Sequence, residues 1–497
     1  MNLLEKAMSF ISPRWGMERM AFTEAQRYYE AGEVNRFHHK WIPVNDKDQE
    51  NMDKTERDLI RARARWLERN SDMANAAITA IERNVVSTGI HLQARTDNEQ
   101  LNKQIEKLFE RWCRSDNCDI TGQQNFYELQ RMILRRKMVD GEILVKKVMS
   151  SKRTGTVPFK LQAIRADMLD NSLMYGKNGN VIRSGIELND VLKPVAYWIE
   201  QKTPDGYTTL DPKRIPAEDI LHIWSKKYPD QIRGVSDLAV SIKRIKDTDE
   251  YLDAETIAAK IAACFSIFII KPQLQVGRNF HLKDKDGRPL TRVNPGMITE
   301  LGPGEDIKAA QPGRTSSTAK EFVNVHERLI GSGLGLSYEM MSRDFNHSSY
   351  SAARQGNLED RKTFEPMQDW LIEHFCKPVY EAFLDAAVLA GEIDLPGYWD
   401  DKERYQKSEW VAPGWASIDP TKETDADFKS LQNGMLTLSQ QCAEHGYDWR
   451  DQLDQMAREK EYAESLGLVL NIHTPEAVQA AESNHVNESE GSDGKDG

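Results

Sequence analysis

The chain has 497 residues, of which 39% are hydrophobic and 29% charged, and a formal net charge of -12 at pH 7. That length exceeds what a single core usually organises, so two to four structural regions are expected. The negative balance excludes a protein whose whole surface attracts polyanions, and contact with DNA has to be local or weak.

No stretch approaches the roughly 18 uninterrupted apolar residues of a spanning helix; the longest candidate, Ile257 to Ile270, contains Lys260 and Ser266, so a soluble protein with no membrane partner is expected. Near the start, Glu5 and Lys6 interrupt the short apolar stretch and no small-residue cleavage site follows, which argues against a signal peptide. The cysteines Cys113, Cys118, Cys264, Cys376 and Cys442 are odd in number and read as free thiols in a reducing cytosol. Cys113 and Cys118 lack two further ligands of suitable spacing, so neither a metal nor another cofactor is expected.

Thr55 to Val86 reads as a helix, with Asp53 or Thr55 as its cap and Gly89 after its end. Arg57, Arg61, Arg63, Arg65 and Arg69 crowd its first half around Trp66. A basic helix with an aromatic can track phosphates, but Glu56, Asp58 and Glu68 are interleaved, which suits a solvated or subunit-facing surface better. Ile90 to Ala94 alternates like a strand. Asn98 to Arg114 carries Leu101, Ile105, Leu108 and Trp112 at helical spacing, and a third helix, Asn125 to Val139, leads to Asp140-Gly141. Strands are then predicted at Glu142 to Met149, Phe159 to Ala163, Val181 to Glu187, Val195 to Gln201 and Asp219 to Trp224.

Gly234 breaks the chain and Ser236 offers a cap, after which no Gly or Pro appears before Pro272. A helix from Ser236 to Cys264 of about 29 residues follows, some 43 Å long. Its apolar stripe is thin, and alanines at its far end leave it slender enough for close helix packing. Lys243, Arg244 and Lys246 precede Asp247, Asp249, Glu250, Asp253 and Glu255, an order that opposes the helix dipole. Tilted neighbours in a ring would bring one basic band near the next acidic band; plain solvation explains the order as well.

Phe265 to Thr318 is a compact, turn-rich insert, locally basic through residues such as Arg278, Lys283, Lys285, Arg288 and Arg292. A helix then runs from about Ser317 to Gly331. Helix, insert and helix together suggest a stalk carrying a tip, although an ordinary α+β connection fits the same order. Gly331-Ser332-Gly333-Leu334-Gly335 follows a helix and lacks the Walker Lys-Ser/Thr, so it reads as a flexible joint rather than a phosphate loop. Tyr350 to Leu389 is a long helical stretch, kinked or broken at Pro366 and Pro378. Further helices are predicted at Thr421 to Cys442 and Trp449 to Leu466, and the tail from Glu482 to Gly497 has a disordered composition. Histidines are scattered and carboxylate pairs are commonplace, so no catalytic residue is assigned and a structural role is favoured over an enzyme.

Several blocks resemble the lambda-type portal proteins of tailed bacteriophages. They include Arg69-Asn70-Ser71-Asp72, Asn84 to Ile90, Phe126 to Gln130 with Asp140-Gly141-Glu142, and Ile215 to His222. Further along come Arg233-Gly234-Val235-Ser236, Asp249-Glu250-Tyr251, Asp253-Ala254-Glu255 and Ala258 to Ala263. Gly333 to Glu339, running through Asp344-Phe345 to Tyr350-Ser351-Ala352-Ala353-Arg354, and the block from Trp410 to Glu423 complete the series. The resemblance implies a helix-rich α+β portal fold that assembles into a dodecameric ring at one capsid vertex, where double-stranded DNA passes during packaging and ejection.

By the same resemblance, residues 1–235 and 332–419 form a wing, 236–264 the first stem helix, 265–317 a clip, 318–331 the second stem helix, 420–481 a crown and 482–497 an acidic tail. It places a channel-facing tunnel loop at Asn346, His347, Ser348, Ser349, Tyr350 and Ser351. Lys243, Arg244, Lys246, Asp249, Glu250 and Asp253 become candidates for channel or intersubunit contacts. The clip, through Arg278, Lys283, Lys285, Arg288 and Arg292, would bind the terminase large subunit and later head-completion or adaptor proteins. Major capsid and scaffold proteins are further implied partners, and the expected location is the virion after synthesis in the bacterial cytoplasm. The competing readings are a cytosolic nucleic-acid-processing enzyme that binds through Arg57 to Arg69, and a monomeric scaffold or adaptor.

Overall fold

The computed structural model describes residues 48–150, 157–176, 179–203, 209–263, 267–270, 306–309, 316–345, 349–415, 420–444 and 447–468. It divides into a unit of residues 1–53 and a unit of residues 54–497. Of the first, residues 48–53 are described, where Gln49 Nε2 donates to Asp53 Oδ1 at 2.8 Å. The second holds the rest of the fold.

Helix α1 spans Gln49–Asn70, so Asp53 and Thr55 lie inside it rather than capping it. Asp48 accepts instead from Glu50 N–H at 3.1 Å. Ser71 leaves helical geometry (φ -111°, ψ 120°) and its hydroxyl caps α2, Asp72–Val85, which divides the single helix expected over Thr55 to Val86 into two. β1 follows (His91–Ala94), then α3 (Glu99–Trp112), capped by Asn98. A capping box between Asn125 and Glu128 starts α4, Phe126–Asp140, and Gly141 at φ 88° ends it in the left-handed region.

β2 (Glu142–Met149) is the middle of an antiparallel sheet, flanked by β3 (Phe159–Ile164) and, from later in the chain, β8 (Ile220–Trp224). Between them lies a meander of β4 (Val181–Arg183), β5 (Ile186–Leu188), β6 (Pro194–Lys202) and β7 (Thr209–Pro216). The strand expected from Val181 to Glu187 is therefore a hairpin turning at Ser184 and Gly185. β7 escapes sequence patterning because Asp211, Pro212 and Lys213 interrupt it. It is an edge strand, where a proline forfeits no ladder bond.

Ser236 caps a short 3-10 turn, Asp237–Val240, and the α-helix proper, α5, runs over Ile242–Ala263. Its 22 residues span about 33 Å, shorter than the sequence suggests. β9 (Ile267–Ile270) and β10 (Asp306–Ala309) pair antiparallel. They lead to α6, Ser316–Leu334, which continues through the glycines expected to form a joint. α7 (Tyr338–Ser342) and α8 (Tyr350–Leu371) follow. A π turn, Ile372–Cys376, joins α8 to α9, Lys377–Leu389, so the helical path continues past both Pro366 and Pro378. β11 (Ser408–Val411) pairs with β1. The C-terminal stretch holds α10 (Pro420–Gln432), α11 (Leu438–Glu444) and α12 (Trp449–Ser465), with Gly434 at φ 68° dividing the helix expected over Thr421 to Cys442.

One core unites distant parts of the chain. Phe109 of α3 lies 5.5 Å from Phe126, 5.9 Å from Tyr380 and 5.1 Å from Phe383, ring centre to ring centre. Trp112 stacks on Phe159 at 5.5 Å and donates its indole N–H to the Phe159 carbonyl at 2.7 Å. Gln368 of α8 is buried and donates to the Val85 and Pro413 carbonyls, both at 3.1 Å, tying the end of α2 to the segment after β11. A smaller core joins the meander to the β2 sheet, with Ile186, Tyr197 and Ile199 buried against Leu144 of β2 and Ile220 of β8. Cys113, Cys118, Cys376 and Cys442 are free and buried. Cys264 and the acidic tail lie outside the described residues.

Candidate functional site at the root of a helical hairpin

α5 and α6 pack antiparallel as a hairpin. Thr248 and His326 are hydrogen-bonded at 2.9 Å, and Tyr251 meets Phe322 with ring centres 4.4 Å apart. Closer to the body, Gly333 faces Ser241: a Cβ on that glycine would stand 2.9 Å from the Ser241 hydroxyl. Gly331 meets the Leu336 carbonyl in the same way, and Gly335, at φ 73°, turns the chain against Thr363. The glycine cluster is thus a close-packed corner, not a flexible joint. Small residues there let two helices and a turn approach at backbone distance.

The hairpin is rooted in a buried ionic knot centred on Glu142, the first residue of β2 and fully buried. Its Oε1 accepts from Arg61 Nη2 at 2.8 Å and from Arg233 Nε and Nη2 at 2.9 and 2.5 Å. Its Oε2 accepts from the Gly234 backbone N–H at 3.1 Å and from His222 Nε2 at 2.9 Å. Burial alone would raise this carboxyl, but the charge of Arg233 and the bonds from His222 and Arg233 hold it well below the usual carboxylate range. Burial also pushes His222 down, against the raising effect of its bond to Glu142.

Arg61 and Arg65, one turn apart on α1, extend the knot. Arg65 grips Asp140 with two bonds of 2.7 and 2.8 Å and reaches Asp167 at 2.6 Å. Arg61 bonds the Asp140 carbonyl at 3.1 Å and Asp167 at 3.2 Å. Arg233 also donates to the Ser184 and Ala166 carbonyls, 3.1 and 3.0 Å away, which ties in the meander.

Glycines make the crossing possible. A Cβ on Gly234 would lie 2.1 Å from the Gly141 carbonyl oxygen, and one on Gly141 2.4 Å from the Val235 carbonyl carbon. Two blocks far apart in sequence, Asp140-Gly141-Glu142 and Arg233-Gly234-Val235-Ser236, therefore touch backbone to backbone. Ser236 Oγ donates to the Met138 carbonyl at 3.1 Å and Lys137 pairs with Asp237 at 2.7 Å, so α5 leaves α4 from a fixed point.

Several expected site residues acquire definite surroundings. Lys246 pairs with Glu250 at 3.3 Å and sits 4.7 Å from the Trp66 ring centre. Asp249 accepts from Ser71 Oγ at 3.4 Å, while Lys243, Arg244 and Asp253 are exposed. Ser349 caps α8, and Tyr350 and Ser351 form its exposed first turn rather than a loop. The base of the segment before them is fixed, because Asp360 accepts from both the N–H and the hydroxyl of Ser337 at 2.6 Å. Asn346, His347 and Ser348 lie outside the described residues, as do Arg278, Lys283, Lys285, Arg288 and Arg292.

Sequence reading missed the knot. Arg57, Arg61 and Arg65 recur every fourth residue, and Arg57 and Arg61 are buried, so this face of α1 turns inward instead of offering charge to phosphates. The nucleic-acid-binding role weighed for that helix loses its main residues. The available signal was Glu142 opening an apolar strand, since a buried carboxylate demands cationic partners. Among the described residues no group of His, Cys, Asp and Glu is placed to hold a metal ion, and no helix is long and apolar enough to cross a membrane.

The site is thus a charged knot at the root of a helical hairpin, set in a mixed helix and sheet fold. Residues 35–368 match the family model described as phage portal protein, lambda family, and the chain belongs to that family. It is 26% identical over 460 residues to a probable portal protein of Halomonas phage phiHAP-1, covering 89% of this chain and 88% of the relative. It is 21% identical to portal protein B of Escherichia phage lambda, covering 82% and 84%. Among solved structures, a chain from the neck of an empty GTA particle aligns with a TM-score of 0.42 at 14% identity, over 77% of this chain and 93% of that one; a likeness that loose carries no argument.

Proposed function

We propose that the chain is one subunit of a dodecameric portal ring at a capsid vertex, through which double-stranded DNA is packaged and ejected. The observation that carries this reading, given the family, is the antiparallel hairpin of α5 and α6, fixed at one end by the Glu142 knot and continued at the other by the β9–β10 ladder. A rigid pair of helices with an excursion at its tip is what a channel wall needs. The hairpin is the stem, residues 265–317 the clip, the body around Phe109 and Glu142 the wing, and the helices after residue 420 the crown.

In this reading DNA slides past an acidic wall with only isolated basic bands, because strong phosphate contacts would brake it. Residues 346–351, which include the first turn of α8 at Tyr350 and Ser351, make the tunnel-facing segment, whose base the Asp360–Ser337 bonds steady. The basic clip residues dock the terminase large subunit and then the head-completion or adaptor proteins, and the wing meets major capsid and scaffold proteins. The subunit is made in the bacterial cytoplasm and ends in the virion. Negative-stain microscopy of the purified chain tests the reading: a ring with a channel wide enough for duplex DNA is expected, and a compact monomer would overturn it. Deleting residues 346–351 is expected to leave rings intact while impairing DNA packaging or retention.

A further inference from the structure

α12 turns its polar side to the body of the fold. Across an open cleft of about 1180 Å3 it presents Asp451, Asp454, Gln455 and Arg458. Two pairs hold it there, Lys103 to Asp454 at 3.0 Å and Arg450 to Glu99 at 3.4 Å, and both are largely in water. Its apolar residues Trp449, Leu453, Met456 and Ala463 follow helical spacing, and none of them lines the cleft. A surface helix ordinarily does the reverse and lays its apolar stripe on the core.

α11 packs against α12 without closing this stripe: Leu453 is 41% exposed, and Trp449 and Met456 are half-buried. Among the described residues from 426 to 468, only Cys442 and Ala463 are buried. The C-terminal helices thus share almost no core, and helices of 13, 7 and 17 residues are marginal in water without one. A second apolar flank of α12, Tyr462 and Leu466, is 67% and 58% exposed. Each surface carries one charge. Lys460 falls in the stripe, between Met456 and Ala463, and Glu459 falls in the flank, three residues before Tyr462.

We infer that α12 packs side by side with α12 of a second copy of this chain, the Glu459, Tyr462 and Leu466 flank of one against Met456, Lys460 and Ala463 of the next. The inference rests on the ring reading above and adds which surface joins the C-terminal helices. Charge selects a second copy as the occupant. The cation of the stripe and the anion of the flank stand one residue apart, about 1.5 Å along the axis, so a rotation with little rise brings Lys460 of one copy to Glu459 of the next. Ala463, small and in the stripe, leaves room there for the ring of Tyr462. Two different surfaces that fit one another make a heterologous contact, which closes into a ring and not into a two-fold dimer. The same contact supplies the apolar packing that these helices lack within one chain.

The test uses full-length rings in a Cys264→Ser background, co-assembled from Lys460→Cys subunits and Glu459→Cys subunits and oxidised with copper phenanthroline. Disulfide-linked dimers are expected on denaturing gels from the mixed rings and not from rings of either variant alone. In a second measurement, Lys460→Glu should make the α12 amides of intact rings exchange hydrogen severalfold faster, and adding Glu459→Lys should restore the slow exchange. Rings that form but yield no dimers, or that yield as many from one variant alone, would overturn the inference and leave the ring reading standing. So would α12 exchange that Lys460→Glu leaves unchanged or that the charge swap fails to restore. A chain that stays monomeric sinks both readings, before any variant is made.

Discussion

The knot at Glu142 and the contact between α3 and α12 are built from the same residue types in opposite surroundings. At Glu142 every charge is out of water and met by fixed donors, so the carboxylate acts as a structural bolt. Between α3 and α12 two largely exposed pairs join the helices, Lys103 to Asp454 at 3.0 Å and Arg450 to Glu99 at 3.4 Å, and salt screens them. Burial with complete satisfaction, rather than the number of charges, separates a firmly held root from a weakly held contact. On the proposed reading the two solutions suit different places: a stem must keep its angle while DNA passes, and the C-terminal helices can afford compliance.

The largest effect that could break this contrast is Glu142→Gln. It removes the buried charge that Arg61 and Arg233 share, leaving Arg61 with Asp58 and Asp167 alone, a loss of about 3–5 kcal/mol in unfolding free energy. Urea denaturation followed by circular dichroism measures it, and a loss under about 1 kcal/mol would place the knot in the same class as the exposed pairs. The pH dependence has a definite sign. Because Glu142 is depressed in the folded state, its contribution is present above the ordinary glutamate value near 4.3 and lost only as pH falls through the depressed one. Acid unfolding of the root is thus expected only below the ordinary glutamate value.

Gly234→Ala should come next, at about 1–3 kcal/mol, because two backbones already in contact must part to admit the methyl group. The same denaturation experiment reads it; a neutral result would mean that the crossing of residues 141 and 234 is slack. Gln368→Leu is expected to cost about 1–3 kcal/mol by leaving the Val85 and Pro413 carbonyls without a donor.

Local chemistry made much of the fold legible in the sequence. Asn98, Asn125 and Gly141 bound their helices as capping rules say, and β2 begins at Glu142 as its apolar run suggests. Errors arose where tertiary contact overrides pattern. Ser71 looks like any helical serine until its hydroxyl caps α2, and Ser236 caps a 3-10 turn rather than the long helix. The glycines at 331, 333 and 335 announce freedom but serve close packing, a difference that only the facing Ser241, Leu336 and Thr363 reveal. The knot was half legible: the motifs at 140–142 and 233–236 stand out singly, but nothing in the sequence says that they touch, or that Arg61 completes them.

The smallest expected effect concerns Lys246, and it separates a contact within one subunit from a contact between subunits. In the single chain Lys246 has Glu250 and the Trp66 ring as partners, all at least partly exposed. Reversing its charge with Lys246→Glu should therefore change subunit stability by only about 0–1 kcal/mol. Lys243 is exposed, so a reversal there should register even less in the subunit. If basic and acidic bands of neighbouring stems also meet, the double reversal at 243 and 246 must weaken the ring far more than the subunit, and the deficit must shrink as salt screens the repulsion. Ring populations by native mass spectrometry across a salt series measure this difference. Unchanged rings at every salt concentration would assign the whole charge order of α5 to contacts within one chain and to solvation.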